Sequence, residues 1–191
     1  MDSIFLYVEK NGEITITGLQ EGTAETAIEI PETIDNMPVT EIAEQAFLES
    51  PITAVKIGKN IREIGELAFG VCKKLSSVTW NQKCDVIPSD CFAECSNLTQ
   101  FDFSNVKKIE AYAFWRSGLT SVTLSKKTAV DQNCFACCND LEKIEWLSDR
   151  NIEKTIFAEC KNIKEIFISD RVMDIAVDAF SSSPNAEISF I

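Results

Sequence analysis

Short runs in which apolar and polar residues alternate recur along the chain at a nearly constant interval. They read ITAVKI, LSSVTW, LTQFDF, LTSVTL, LEKIEW and IKEIFI, with AEISFI closing the chain. Apolar residues at the first, fourth and sixth positions, separated at the end by one polar residue, predict strands with a single buried face. Between these runs lies a phrase centred on phenylalanine, at positions 47, 69, 92, 114, 135, 157 and 180. Five residues before each ring stands an aliphatic: Ile42, Ile64, Ile87, Ile109, Val130, Ile152 and Ile175. Ala, Cys or, once, Ile precedes the ring, and Cys or Ser always stands three residues after it. Seven phrases in step define a repeating unit of about 22 residues.

Such a unit cannot bury its apolar side alone, but stacked copies share one continuous core. The hexads match the strand segment of a leucine-rich repeat, L-x-x-L-x-L. The predicted fold is therefore a leucine-rich-repeat solenoid, a horseshoe with a parallel β-sheet on its concave face. Adjacent strands ~4.8 Å apart would give a sheet on the order of 30 Å long. The phenylalanine phrase forms the return side as a loop or a short 3₁₀ or helical turn, since it is too short and too sparsely apolar for a full helix.

Residues 1–38 read differently. IFLYVEKNGEITIT is two alternating segments around Asn11–Gly12, a strong hairpin signal, and a further strand and turn follow. These residues are expected to be an N-terminal β-hairpin cap and entry strand, with seven repeats over 39–191. The last run ends in mid-strand, so the expectation is an apolar edge that further chain, a partner or a second copy covers.

The phrase I-x-x-I-G-x-x-A-F-x-x-C-x-x-L-x-x-V runs intact from Ile61 to Val78, and IEIPETIDNMPVTEIAEQAF resembles an entry to the first repeat. Together they resemble the BspA-like class of leucine-rich repeats, found in surface antigens and adhesins, over roughly residues 27–191. The resemblance implies a curved solenoid that binds macromolecules, with a protein ligand of the extracellular matrix or a cell surface as partner. It also implies a surface or secreted location, and it brings no catalytic residue at a fixed position. The Ile-Pro that commonly ends each strand of that class survives only as Ile30–Pro31.

Composition narrows the function. Thirty acidic against eighteen basic residues give a net charge of −12, which repels phosphate backbones and argues against nucleic acid as a partner. No apolar run approaches the ~20 residues of a membrane span. The short apolar run at the N-terminus follows an aspartate where a signal peptide carries positive charge, so it does not read as one. With no histidine, neither a Ser–His nor a Cys–His nucleophile can form, and no imidazole metal ligand exists. No cofactor is expected.

The eight cysteines include NCFACCND, with three within five positions. Cys91 and Cys134 precede a repeat Phe, and Cys72, Cys95, Cys138 and Cys160 stand three after one, where other copies have Ala and Ser. Cys84 falls in a column of aliphatics. These seven read as small buried side chains rather than zinc ligands or disulfides, because only one Cys-x₂-Cys spacing exists. Cys137 stands apart in a column of Glu, Val, Arg and Ser, and is the candidate exposed thiol.

The outward strand positions nominate Lys56, Thr79, Asp102, Thr123, Glu145 and Phe167 as candidate binding residues, with Leu147 one rung from Phe167. Phe167 is an aromatic in a polar column, and Trp115 with nearby Tyr112 marks a second candidate contact on the return side. Three functional classes stay open at this point. A non-catalytic interaction scaffold leads, ahead of a self-assembling module joined through the last strand. An enzyme with an unrecognised site is the third.

Overall fold

The computed structural model describes residues 3–191. Its strands are, in chain order, β1 (Phe5–Lys10), β2 (Glu13–Leu19), β3 (Ala27–Glu29), β4 (Thr33–Ile34), β5 (Met37–Ile42), β6 (Ala54–Lys56), β7 (Glu63–Ile64) and β8 (Ser77–Thr79). There follow β9 (Val86–Ile87), β10 (Lys108–Ile109), β11 (Ser121–Leu124), β12 (Ala129–Val130), β13 (Lys143–Trp146), β14 (Glu165–Ile168) and β15 (Glu187–Phe190). Among the described residues there is no helix, and none long and apolar enough to cross a membrane.

The hexads form the concave face. β3, β6 and β8 pair in parallel, with Ile28, Val55 and Val78 in register. β11, β13, β14 and β15 form a second parallel ladder, with Val122, Ile144, Ile166 and Ile188 in register. Their inward aliphatics meet the return side, where the phenylalanines stack as one column. Ring centroids from Phe47 through Phe69, Phe92, Phe114, Phe135 and Phe157 to Phe180 are 5.2–5.7 Å apart. A leucine or isoleucine closes each unit, at Ile52, Leu75, Leu98, Leu119, Leu141 and Ile163, all buried.

Each phenylalanine phrase is a chain of tight turns. In the first, the amides of Ala46, Leu48 and Ser50 bond to the carbonyls of Ala43, Gln45 and Phe47. In five phrases the residues two before and two after the ring are left-handed, Gln45/Glu49, Leu67/Val71, Asp90/Glu94, Tyr112/Arg116 and Asn133/Cys137, and in the phrase of Phe157 only Glu159 is. Amides of alternate residues then point to the next rung, as Phe47 to Ala68 and Phe69 to Cys91. Lateral bonding of this kind satisfies the backbone without a helix.

Two features differ from expectation. The return side is not only turns, because pairings two residues long build a further parallel ladder there: β5 with β7, and β9 with β10 and β12. Its gap between Ile64 and Ile87 falls where Pro88 has no amide to donate, whereas Gly65 and Glu110 donate to Ile42 and Ile87. The second difference is on the concave face, where LTQFDF forms no strand. Its inward Phe101 occupies the column that holds Val55, Val78 and Val122 elsewhere. The ring lies against Phe92, Phe103, Phe114 and Trp80 at 4.9–5.5 Å, which is more volume than the aliphatic slot admits. Trp80, packed half-buried against the core beside it, donates its indole N–H to the Cys84 carbonyl at 2.7 Å.

At the N-terminal end, β1 and β2 form the antiparallel hairpin around Asn11–Gly12, and β2 runs parallel to β5. Ile14 and Ile16 are fully buried beneath it, and Phe5 meets Phe47 edge-on at 6.4 Å. At the other end, β15 pairs among the described residues only with β14, and Ile188, Phe190 and Ile191 are 47%, 64% and 58% exposed.

Candidate functional site

Strand alternation alone sets which side chains reach the concave surface. Lys56 and Thr79 are exposed and in register on β6 and β8, and Lys56 bonds to Glu29 one rung away at 2.6 Å. Thr123, Glu145 and Phe167 are in register on β11, β13 and β14. The Thr123 hydroxyl donates to Glu145 at 3.1 Å, and Lys143 reaches the same carboxylate at 2.7 Å. These contacts hold Glu145 below the usual carboxylate range, with Lys143 the main cause. The Lys143 ammonium also stands 5.1 Å from the centre of the half-buried Phe167 ring. Leu147, 37% exposed, follows Trp146 at the rim. Asp102 lies exposed on the interrupted rung and accepts the Ser104 amide at 2.9 Å. Hydrogen bonds from the Ser104 side chain and then its amide lower the Asp102 pKa.

The remaining nominated residues are on the return side. Tyr112 is exposed, accepts a hydrogen bond from Asn133 at 3.1 Å, and has one of the left-handed backbones. Trp115 is half-buried beneath the Arg116 guanidinium, 4.3 Å from the ring centre. Cys137 is half-buried at the next left-handed position. The nominated set thus divides between a concave group and a return-side group.

The other seven cysteines are buried. Those three residues after a phenylalanine share one role: each thiol points at the carbonyl of the previous rung's phenylalanine. Cys72 meets Phe47 at 3.0 Å, Cys95 meets Phe69 at 3.2 Å, Cys138 meets Phe114 at 3.1 Å, and Cys160 meets Phe135 at 3.1 Å. Ser50, which opens this column, is a buried hydroxyl with no partner among the described residues. Burial pushes the Cys72 thiol up to about 12 and Cys84 to about 11, and raises Cys91, Cys95 and Cys134 as well. The adjoining Cys138 sulfur and then burial raise Cys160. Protonated thiols in such places are neither nucleophiles nor metal ligands. Among the described residues no group of three or more Cys, Asp or Glu is arranged to hold a metal ion.

The model for BspA type leucine-rich repeat regions matches residues 21–142 and 128–191, in six copies. The chain belongs to this family. No curated protein matches it. Among solved structures, this BspA-type chain is similar to a leucine-rich repeat protein of Bacteroides ovatus ATCC 8483, with a TM-score of 0.77 and 24% identity. That match covers 96% of this chain and 54% of the other, so the chain spans about half of that relative's length. The leucine-rich repeat protein of T. pallidum aligns with a TM-score of 0.54 and 19% identity, over 97% of this chain and 78% of that one. The pneumococcal vaccine antigen PcpA aligns at 0.53 and 16%, over all of this chain and 49% of its own. At these identities the likeness is one of fold.

Sequence reasoning missed two features of the concave surface of this BspA-type solenoid. One is the Lys143–Phe167 contact, which depends on the register of neighbouring strands. The other is the break at residues 101–103, for which a signal did exist: Phe101 is an aromatic in an otherwise aliphatic inward column.

Proposed function

We propose that the chain is a non-catalytic protein-recognition scaffold that binds a protein of the extracellular matrix or a cell surface through its concave face. The observation that carries this reading is the array of outward side chains on β6, β8, β11, β13 and β14. Its hydroxyls and paired charges are held on a rigid backbone, with Phe167 and Leu147 as apolar anchors. Aromatic anchors ringed by polar groups are typical of protein interfaces. Burial raises the Cys72, Cys84, Cys91, Cys95 and Cys134 thiols, which weighs against a cysteine nucleophile among them. The family and the likeness to a vaccine antigen favour a surface protein as partner.

Capture from an array of surface and matrix proteins, followed by interferometry with concave and return-side variants, tests this. Glu145→Arg with Thr123→Arg should weaken a captured protein by about tenfold or more, while Glu66→Lys on the return side leaves it unchanged. Equal effects of both, or no captured protein, would contradict the reading.

A second reading is self-association through the outer edge of β15, favoured by the exposure of Ile188, Phe190 and Ile191. Light scattering across a concentration series tests it: a mass rising above that of the monomer supports association, and a constant monomer mass excludes it.

A further inference from the structure

The turns that carry the chain from each concave strand to the return side stack along one flank of the solenoid. Hydrogen bonds between rungs hold them in order. The Asn81 amide group donates to the Gly58 and Ile61 carbonyls at 2.8 and 2.9 Å, the Lys107 amide to Asp85 at 2.7 Å, and the Thr128 hydroxyl to Val106 at 2.9 Å. Four successive turns, 58–62, 81–85, 104–107 and 125–128, carry the cations Lys59, Arg62, Lys83, Lys107, Lys126 and Lys127 against one carboxylate, Asp85. Elsewhere the balance is reversed, since 29 of the 30 acidic residues lie outside these turns. The flank is a cationic strip on an anionic molecule.

All six cations are exposed. Lys59, Arg62 and Lys107 pair with Glu32, Glu13 and Asp85 at 2.6–2.7 Å. Lys83, Lys126 and Lys127 have no carboxylate partner among the described residues. The following turn ends the strip: there Asp149 stands beside Arg150, and its amide bonds to the Lys126 carbonyl at 3.3 Å. Between the third and fourth turns lies a depression of about 350 Å³, where Lys107, Lys126 and Lys127 meet Ser104, Asn105 and Ser125. Its neutral groups offer both signs of hydrogen bond. Thr128 gives its proton to Val106, so Ser125 donates to Thr128 at 2.8 Å and keeps its lone pairs for an incoming donor. Ser104 accepts from the Asn105 side chain at 3.4 Å and keeps its proton for an incoming acceptor. The Asn105 side-chain oxygen has no partner among the described residues.

We infer that this flank is a docking strip for an anionic polysaccharide. Its sulfate or carboxylate groups meet Lys83, Lys107, Lys126 and Lys127, and its ring hydroxyls meet Ser104, Asn105 and Ser125. The inference goes beyond the protein-recognition reading and uses a different face. Rungs ~4.8 Å apart set the turns in a row, so their cations follow a linear polymer and do not enclose a small ion. Lysine, a compact charge on a flexible stem, adapts to anions at varied spacing. Protein interfaces are depleted in lysine and anchored by aromatics, and these turns hold no aromatic. Single-stranded nucleic acid needs aromatics too, as platforms on which its bases stack. A phosphate or sulfate oxygen only accepts hydrogen bonds, whereas a sugar hydroxyl also donates and so satisfies Asn105 and Ser125.

The test is calorimetric titration of the full chain with a heparin oligosaccharide, an alginate oligosaccharide, neutral dextran and single-stranded DNA. At least one of the two anionic sugars should bind, and comparing them separates sulfate from carboxylate as the recognised group. Binding should weaken as salt rises, and dextran should not bind. Lys126→Glu with Lys127→Glu should weaken binding by about tenfold or more. Lys73→Glu with Lys74→Glu changes the net charge equally at an exposed pair in a turn of the other flank, and should leave binding unchanged. Ser104→Ala with Asn105→Ala should weaken the sugar while leaving its salt dependence intact. Absence of binding to both anionic sugars, equal loss from the two lysine pairs, indifference to Ser104→Ala with Asn105→Ala, or DNA bound as tightly as the sugars would overturn the polysaccharide strip.

Discussion

Cysteine in this chain acts as a small residue with a weak donor. The column three residues after each phenylalanine takes a side chain that fills little space; Cys72, Cys95, Cys138 and Cys160, and among the serines Ser183, reach a carbonyl of the rung before. Aligning the repeats made the burial of seven cysteines legible, because equivalent positions in a stack share an environment. The bonds themselves were not, since they join one rung to its predecessor. A thiol whose pKa is raised on folding keeps its proton where the unfolded chain has lost it. Its stabilising contribution is complete below the ordinary thiol value near 9 and is lost as pH rises towards about 11 for Cys84 and about 12 for Cys72. Thermal melts should therefore hold level from pH 7 to about 8 and fall steeply above the unfolded thiol range of about 8.5. A melting temperature flat to pH 11 would contradict buried, protonated cysteines. The left-handed positions were hidden for a different reason: Gln45, Glu49, Leu67 and Val71 carry no glycine-like signal. Val71 is the most strained of them, being β-branched at φ 59°. Val71→Gly should stabilise the protein by about 1 kcal/mol in urea denaturation, and a loss of stability would show that its partly buried side chain outweighs the backbone strain.

At the scale of elements, the concave strands were legible because an alternating pattern has a face, and six hexads gave the same face. The return ladder was not, because a two-residue strand has no period to read. The phenylalanine column stood out in the spacing, yet its stacking follows from the turns that fix each ring above the last. Interior rings gain contact on both sides and end rings on one. Phe92, stacked between Phe69 and Phe114 and touched by Trp80 and Phe101, is the hub. Phe92→Ala should cost about 3–5 kcal/mol in urea denaturation, and Phe180→Ala, at the end of the stack, clearly less. Equal costs would mean that the column is not the structural spine. The hairpin β1–β2 fits the same logic: we propose it as the cap that covers the first rung, because Ile14, Ile16 and Phe5 occupy the space a preceding repeat would fill.

For the molecule as a whole, repetition made the fold and the family legible, since each of the seven phrases tests the same hypothesis. Function was legible only as a surface. The outward residues could be named from alternation, but not the Lys143–Phe167 contact or the break at residues 101–103, which arise where neighbouring rungs meet or fail to meet. The proposed function puts recognition on the concave side, around Phe167 and Leu147. The most direct measurement is hydroxyl-radical footprinting of the chain with a protein captured from the surface array. The account predicts protection at Leu147 and Phe167, with Tyr112 and Trp115 labelled as in the free chain. Protection confined to Tyr112, Trp115 and Cys137 would contradict it and move the binding face to the return side.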